Sequence, residues 1–153
     1  MCITVRDAVG DDRETILRLI AVMARDFGEK LALDIAYVDT YLSHPGCHVL
    51  LAEDDGRVSG LLSYSLRPSL FHGADSGSID ELVVALEARG RGVATLLLQT
   101  AIARMTAAGC AEVSVSTTTD NEPAMRLYRR LGLAEESLLL ERHFDREGAA
   151  EAG

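Results

Sequence analysis

The sequence has 153 residues, of which 48% are hydrophobic and 25% are charged, with a formal net charge of −9. This length and composition predict a single globular domain with its own hydrophobic core. The negative charge argues against a nucleic-acid binder, because contact with phosphates needs clustered Lys and Arg. No apolar run is long enough for a membrane span, and the first residues do not resemble a signal peptide. We therefore expect a soluble, cytoplasmic protein without nucleic-acid or membrane partners.

The three cysteines are scattered without a CxxC pattern: Cys2, Cys47 and Cys110. This spacing predicts reduced, buried thiols rather than disulfides or zinc ligands. Cys47 lies between His44 and His48, but the intervening Pro45-Gly46 prevents the two histidines from sharing a helical face. No further ligand is evident, so we predict no metal site.

The first elements alternate strand and helix patterns. A strand over 2–8 precedes a helical periodicity of apolar residues that runs up to Gly28, with Asp11 and Asp12 as candidate N-caps. A shorter helix within 33–46 is ended by its own Pro-Gly pair.

A hairpin follows, with strands over 48–54 and 57–66 joined by Asp55-Gly56, because Asp-Gly is a strong hairpin signal. The segment 67–77 is predicted as a loop. The β-branched and apolar residues of 78–85 predict a central strand.

Four further elements are a helix from Val93 to Gly109, a strand over 111–117, a helix over 122–131 and a last strand over 136–144. Asp120 or Asn121 can cap the second helix of this group, and Gly132 ends it. We expect residues 1–144 to form one domain and residues 145–153 to be a frayed tail.

A turn with two glycines and two arginines, RGRG at 89–92, connects the central strand to the next helix. Such a turn directs free backbone N–H groups and the positive end of the helix toward one point, which favours an anion. The Rossmann pattern fails at Thr95 and the Walker pattern lacks its lysine. A plain turn with surface arginines is the alternative at this point.

The stretch RGRGVA at 89–94 matches the [RQ]-x-x-G-x-[GA] signature of the Gcn5-related N-acetyltransferases, the GNAT family. NEPAMRLYRRLGL at 121–133 is similar to the second motif of that family, and IDELVV at 79–84 resembles its central strand. The close match covers about residues 76–134. The resemblance implies an α/β fold of α+β type, with a mixed, mostly antiparallel central sheet flanked by helices on both faces.

The resemblance also implies acetyl-CoA as co-substrate. In the family, the glycine turn grips its pyrophosphate and pantetheine, and the backbone of the central strand pairs with the pantetheine arm and the acetyl carbonyl. The cofactor-binding residues implied in this way are Leu82, Val83, Val84, Arg89, Gly90, Arg91, Gly92, Val93, Ala94, Thr95 and Asn121.

Asn121 and Tyr128 are seven residues apart, which places them within about 20° of one helical face. From its position alone, Tyr128 is expected to be a core tyrosine with a satisfied hydroxyl. The resemblance implies instead the catalytic tyrosine that protonates the departing coenzyme A thiolate. A phenol with a pKa near 10 is close enough to a thiol near 8.5 to do so.

Asp80 and Glu81 begin an otherwise apolar strand. Strand alternation predicts that they point to opposite faces, so that only one lines the cleft. They are either solvated strand-end charges or, as in relatives such as polyamine acetyltransferases, groups that bind the acceptor amine. A carboxylate binds an ammonium group but also raises its pKa, so acceptor binding is the primary role and proton removal by Glu81, through water, the secondary one.

The sequence thus predicts an N-acetyltransferase that acts on a primary amine of a small, cationic acceptor by direct attack, without an acyl-enzyme. The alternative is a non-catalytic acyl-CoA-binding or regulatory module with the same fold. Asp26 and Glu29 are either contacts for a second cationic group or a solvated helix face. The family often forms homodimers, and the sequence identifies no subunit interface.

Overall fold

One five-stranded sheet and four α-helices make up the computed structural model, which describes residues 2–146. The strands are β1 (Ile3–Asp7), β2 (Cys47–Asp54), β3 (Arg57–Ser69), β4 (Ala74–Val84) and β5 (Glu112–Val115). The helices are α1 (Arg13–Asp26), α2 (Ile35–Ser43), α3 (Val93–Ala107) and α4 (Glu122–Arg130).

The strands lie in the order β1-β2-β3-β4-β5, with β1 to β4 antiparallel to their neighbours and β5 parallel to β4. Val93 of α3 packs over Gly60 of β3. Tyr41 of α2 lies beside Ser63, three residues further along β3 and therefore on the opposite face of the sheet. The predicted fold class, a mixed and mostly antiparallel sheet with helices on both faces, is confirmed.

Helices on both faces explain why the inner strands are apolar in consecutive positions. Leu50 and Leu51 of β2, and Leu61 and Leu62 of β3, are all almost completely buried. A strand covered on both faces buries side chains of either orientation, so its sequence does not alternate. The core therefore extends through the sheet rather than lying on one side of it.

Two glycines allow α3 to approach the sheet closely. A Cβ atom on Gly60 would lie 2.7 Å from Cγ1 of Val93 and 3.0 Å from Cδ1 of Leu97, and one on Gly77 would overlap Met105. Because Val93 is the first residue of α3, Gly60 sets the position of the helix N-terminus relative to the sheet.

We expect Gly60→Ala to lower the free energy of unfolding by about 1–3 kcal/mol, because the added methyl group overpacks the interface with α3. Gly10→Ala is the matched control, since a Cβ there meets no atom within 4 Å and its φ is not positive. Urea denaturation of both variants measures the difference. Equal stability of the two variants would contradict this account of the interface.

Helix α1 begins after Asp12 as predicted, but the Asp12 side chain does not cap the helix. Its two carboxylate oxygens accept hydrogen bonds from Arg6, each at 2.8 Å, and one of them also accepts from the Val9 N–H. The Arg6 guanidinium is the main reason why the pKa of Asp12 lies below its usual value. The predicted side-chain cap is therefore wrong, because a charged partner engages the carboxylate.

Several turn predictions are confirmed. Asp55 and Gly56 both adopt positive φ, at 51° and 77°, as a type I′ hairpin turn requires. Gly109 and Gly132 follow α3 and α4 with φ of 85° and 92°. The N-cap of α4 is Asn121, whose Oδ1 accepts a hydrogen bond from a backbone N–H three residues later at 3.4 Å.

The loop predicted over 67–77 is wrong. Strands β3 and β4 continue as a long hairpin, with Ser69 opposite Ala74 and only a short turn between them. Its Pro and Gly residues suggest a loop, but pairing with the neighbouring strand outweighs these local preferences.

The last predicted strand, 136–144, is also wrong. Residues 133–146 have no regular secondary structure, and the side chains of Leu138 and Leu140 are 84% and 83% exposed. A strand needs a partner for its backbone groups, and none of the described strands pairs with this segment. Residues 147–153 of the predicted tail lie outside the described part of the chain.

The cysteine prediction is confirmed only in part. Cys47 and Cys110 are partly buried, but Cys2 is exposed, since it precedes β1. His48 stacks on Tyr64, with ring centroids 4.8 Å apart, while the adjacent Cys47 points to the other face of the sheet. Within residues 2–146, no group of three or more His, Cys, Asp or Glu is arranged to hold a metal ion.

None of the helices in residues 2–146 combines the length and the apolar character that crossing a bilayer requires.

Candidate active site

The sheet opens beside the second half of β4. Strand β5 pairs with β4 only along Ser76–Ile79, whereas β3 pairs with β4 as far as Val84. From Asp80 to Val84, the edge of β4 that faces away from β3 therefore has no strand partner among the described residues. Backbone N–H and C=O groups along such an edge can pair with an extended ligand, and the Val84 carbonyl oxygen already accepts a hydrogen bond from Arg89.

The glycine turn meets the N-terminus of α3 next to this edge. Gly90 and Gly92 adopt φ of 79° and 81°, and Gly92 is the N-cap of α3 without a side-chain cap. The Leu96 N–H is the first to bond back to the turn, at Gly92 O, so the N–H groups of residues 93–95 have no acceptor within the helix. A Cβ atom on either glycine would meet no atom within 4 Å, so the space above the turn is open to an anion.

The two arginines of the turn differ in their surroundings. Arg89 donates from Nη2 to Oδ2 of Asp26 at 2.7 Å and from Nε to the Val84 carbonyl oxygen at 3.1 Å. It thereby connects the end of α1 to the end of β4. Asp26, which the sequence offered as a contact for a cationic acceptor, is engaged by the protein's own arginine. Arg91 is exposed on the turn.

A β-bulge interrupts the regular pairing of β3 with β4 at the two acidic residues. Ser63 pairs with Glu81, but the next residue, Tyr64, pairs with Ile79. Asp80 is therefore the extra residue of the bulge and has no partner on β3. A bulge changes the alternation of side chains, so two successive residues can point to the same face.

Hydrogen bonds show that both acidic side chains lie on one face. The Ser63 hydroxyl donates to Oε1 of Glu81 at 2.6 Å, and the Ser65 hydroxyl donates to Oδ2 of Asp80 at 2.8 Å. Ser63 and Ser65 are two residues apart on β3 and share a face. The prediction that Asp80 and Glu81 point to opposite faces is therefore wrong, and the reason is the bulge.

No cationic side chain of residues 2–146 forms an ion pair with Asp80 or Glu81. Burial raises the pKa of Glu81, the hydrogen bond from Ser63 opposes this, and the negative charge of Asp80 raises the pKa further. Two neighbouring carboxylates without a cation create a negative potential on this face. The site can bind a cationic group. Because its pKa is raised, Glu81 is protonated more readily than an ordinary glutamate.

Tyr41 of α2 and Cys47 of β2 complete this face. The Tyr41 hydroxyl oxygen is buried and makes no hydrogen bond to any described residue. Burial is the main reason why its pKa is raised, followed by the charges of Cys47 and Glu81. The sequence pattern gives no sign that Tyr41 belongs to the site, because with Val38 and Leu42 it indicates only an apolar part of a helix.

Tyr128 lies on α4, partly buried against the hydrophobic core. Burial raises its pKa, so the phenol stays protonated at neutral pH, and within residues 2–146 its hydroxyl has no hydrogen-bond partner. This differs from a core tyrosine with a satisfied hydroxyl. Asn121, at the start of the same helix, uses its side-chain oxygen as the cap and keeps its NH₂ group for another partner.

Comparison with known proteins extends this description. The model of the acetyltransferase (GNAT) family matches residues 16–133. The aminoalkylphosphonate N-acetyltransferase of Salmonella typhimurium is 29% identical over 127 residues, which cover 83% of this chain and 82% of that protein.

Two solved structures are similar over nearly the whole chain, each with 25% identity. A transcriptional regulator from Bacillus halodurans C-125 has a TM-score of 0.82 and covers 94% of this chain and 100% of its own. An aminoglycoside acetyltransferase from an uncultured soil metagenomic sample has a TM-score of 0.79, with coverage of 95% and 100%. Since the family model spans most of the chain and these folds agree with it, the protein belongs to the GNAT family of acetyltransferases.

Proposed function

We propose that this protein transfers the acetyl group of acetyl-CoA to a primary amine of a small, cationic acceptor. The observation that carries the proposal is the position of Asp80 and Glu81 on one face beside the free edge of β4, where no ion pair within residues 2–146 includes either carboxylate. The Salmonella relative is named for aminoalkylphosphonates and the metagenomic one for aminoglycosides, and both kinds of acceptor contain amino groups.

Acetyl-CoA fits the free edge and the glycine turn. The backbone of Leu82, Val83 and Val84 would pair with the pantetheine arm, and the N–H groups at the start of α3 would bind the diphosphate. Asn121 and Arg91 are further contacts, and Arg89 becomes one if it turns away from Asp26. The complete set proposed for the cofactor is Leu82, Val83, Val84, Arg89, Gly90, Arg91, Gly92, Val93, Ala94, Thr95 and Asn121.

The chemistry is a direct transfer from sulfur to nitrogen. An amine with a pKa of about 10.4 must first lose a proton, which costs on the order of 4–5 kcal/mol at pH 7. Asp80 and Glu81 bind the ammonium group, and Glu81 receives the proton through water. The nitrogen then bonds to the carbonyl carbon as the carbon–sulfur bond breaks, and Tyr128 donates its proton to the departing thiolate. The second proton that the nitrogen loses on becoming an amide returns to the Tyr128 oxygen through water.

A second candidate function is a non-catalytic acyl-CoA-binding module with a regulatory role. The similarity to the transcriptional regulator from Bacillus halodurans favours it. Such a module needs the glycine turn but neither a proton donor nor the two acids. The presence of Tyr128, Asp80 and Glu81 together favours the enzyme.

Thiol release from acetyl-CoA, measured with a panel of polyamines, aminoglycosides, amino acids and peptides, separates the two functions. If the protein is an enzyme, acetyl-CoA should raise its melting temperature, and thiol should be released with at least one of the amines. Stabilisation by acetyl-CoA without thiol release on any amine would favour the binding module. Absence of both effects would contradict both functions.

Replacing either acid with its amide should raise the KM for the amine more than it lowers turnover. For Glu81→Gln and Asp80→Asn we expect KM to rise about 10-fold or more, the value of one charge-assisted hydrogen bond. Asp75→Asn, an exposed position of the same strand, is the matched control. Steady-state kinetics check this, and a loss of turnover with unchanged KM would identify Glu81 as a direct base instead.

A cytoplasmic location and a homodimeric state stay predictions. Fractionation of the cell that makes the protein checks the first, and light scattering at several protein concentrations checks the second.

A further inference from the structure

The hydroxyl of Tyr41 is a hydrogen-bond donor that the folded protein does not use. It lies near the face of the sheet that carries Asp80 and Glu81. Its hydroxyl oxygen is shielded from solvent and has no partner in the described part of the chain. It lies beside Ser63, whose own hydroxyl proton is donated to Glu81 at 2.6 Å. A buried hydroxyl without a partner loses its hydrogen bonds to water, so it is uncommon in proteins and needs an explanation.

The groups around the phenol keep it protonated. The titratable residues that act on Tyr41 are Cys47 on β2 and Asp80 and Glu81 on β4, and each of them opposes its ionisation. The hydroxyl is therefore protonated, and able to donate a hydrogen bond, at neutral pH. A carboxylate has about four lone-pair positions, and Ser63 occupies one of those on Glu81.

We propose that Tyr41 is a positioning residue for the acceptor amine. When the acceptor binds, the Tyr41 hydroxyl donates to the Glu81 carboxylate beside the bond from Ser63, and the two donors together hold the carboxylate in place. The remaining lone pairs of Glu81 then face the cleft and the ammonium group of the acceptor. This role depends on the proposed function, because it specifies how the enzyme holds its acceptor.

Tyr41→Phe tests this role, since it removes only the hydroxyl. The KM for the amine should rise about 10-fold, as for the loss of one hydrogen bond to a charged group, with turnover at saturating amine nearly unchanged. The melting temperature of the free protein should not fall, because the hydroxyl bonds to nothing there. Tyr37→Phe is the matched control, since Tyr37 lies on the same helix and is 59% exposed.

A double-mutant cycle distinguishes positioning from a general structural effect. If Tyr41 acts through Glu81, Tyr41→Phe leaves the KM of the Glu81→Gln variant unchanged. An equal rise of KM in both backgrounds would overturn the inference, and so would an unchanged KM for Tyr41→Phe in an otherwise active enzyme. A wild-type protein that acetylates no amine would overturn the proposed function and this inference with it.

Discussion

Tyr128→Phe is expected to lower the turnover number by about 10²–10⁴-fold, the usual contribution of a general acid. The phenol is partly buried, protonated at neutral pH and without a hydrogen-bond partner in residues 2–146, so its proton is available for a leaving group. Phenylalanine keeps the packing against the core but has no proton to give. The measurement is the rate of thiol release at saturating acetyl-CoA and amine.

The dissociation constant of acetyl-CoA should change little in the same variant, because the proposed contacts of the cofactor lie on β4, on the turn and first residues of α3 and at Asn121, and none of them is the Tyr128 hydroxyl. Calorimetric titration provides this control. Unchanged turnover at saturating substrates would remove Tyr128 from the mechanism. A parallel loss of cofactor affinity would indicate a binding role for the tyrosine rather than a role in proton transfer.

Gly92→Ala is expected to weaken acetyl-CoA binding about 10-fold or more, which corresponds to losing at least one charge-assisted hydrogen bond. Gly92 has a φ of 81°, and a Cβ there would project into the open space where the diphosphate is proposed to bind. An L-residue in this conformation also costs about 1–2 kcal/mol. Both effects act on the turn that presents the helix N–H groups.

Gly109→Ala is the matched control for this experiment. Gly109 follows the other end of α3, has a φ of 85° and also has no atom within 4 Å of an added Cβ. The two variants therefore carry the same backbone strain, roughly 20 Å apart along a 15-residue helix. Both should lose similar stability, and only Gly92→Ala should lose affinity for acetyl-CoA. Equal affinities would contradict a diphosphate site at the turn.

The fold class could be predicted from the resemblance of two short motifs to a known family, and most helices could be predicted because their signals are local. Helix α3 lies between Gly92 and Gly109, and both glycines mark its ends through their left-handed conformation. The Asp55-Gly56 turn likewise determines the register of its hairpin within a few residues. The glycine-rich turn could be identified from the sequence because its glycines and arginines are consecutive in the chain.

The placement of the acids could not be predicted, because it depends on pairing between strands. The bulge at Asp80 is a feature of the pairing between β4 and β3, so the sequence of β4 alone does not indicate it. The role of Tyr41 depends on Ser63 and Glu81, which come from two other strands. The apolar segment 136–144 has a strand-like composition, but composition does not show whether a partner strand is present.

The central claim is that the backbone amides at the start of α3 bind the diphosphate of acetyl-CoA. A titration of ¹⁵N-labelled protein with coenzyme A, followed by NMR of the backbone amides, tests it most directly. The account predicts that the largest saturable shifts occur at Gly92 and at residues 93–95. Saturable shifts confined to other parts of the chain, or no shifts at all, would contradict it.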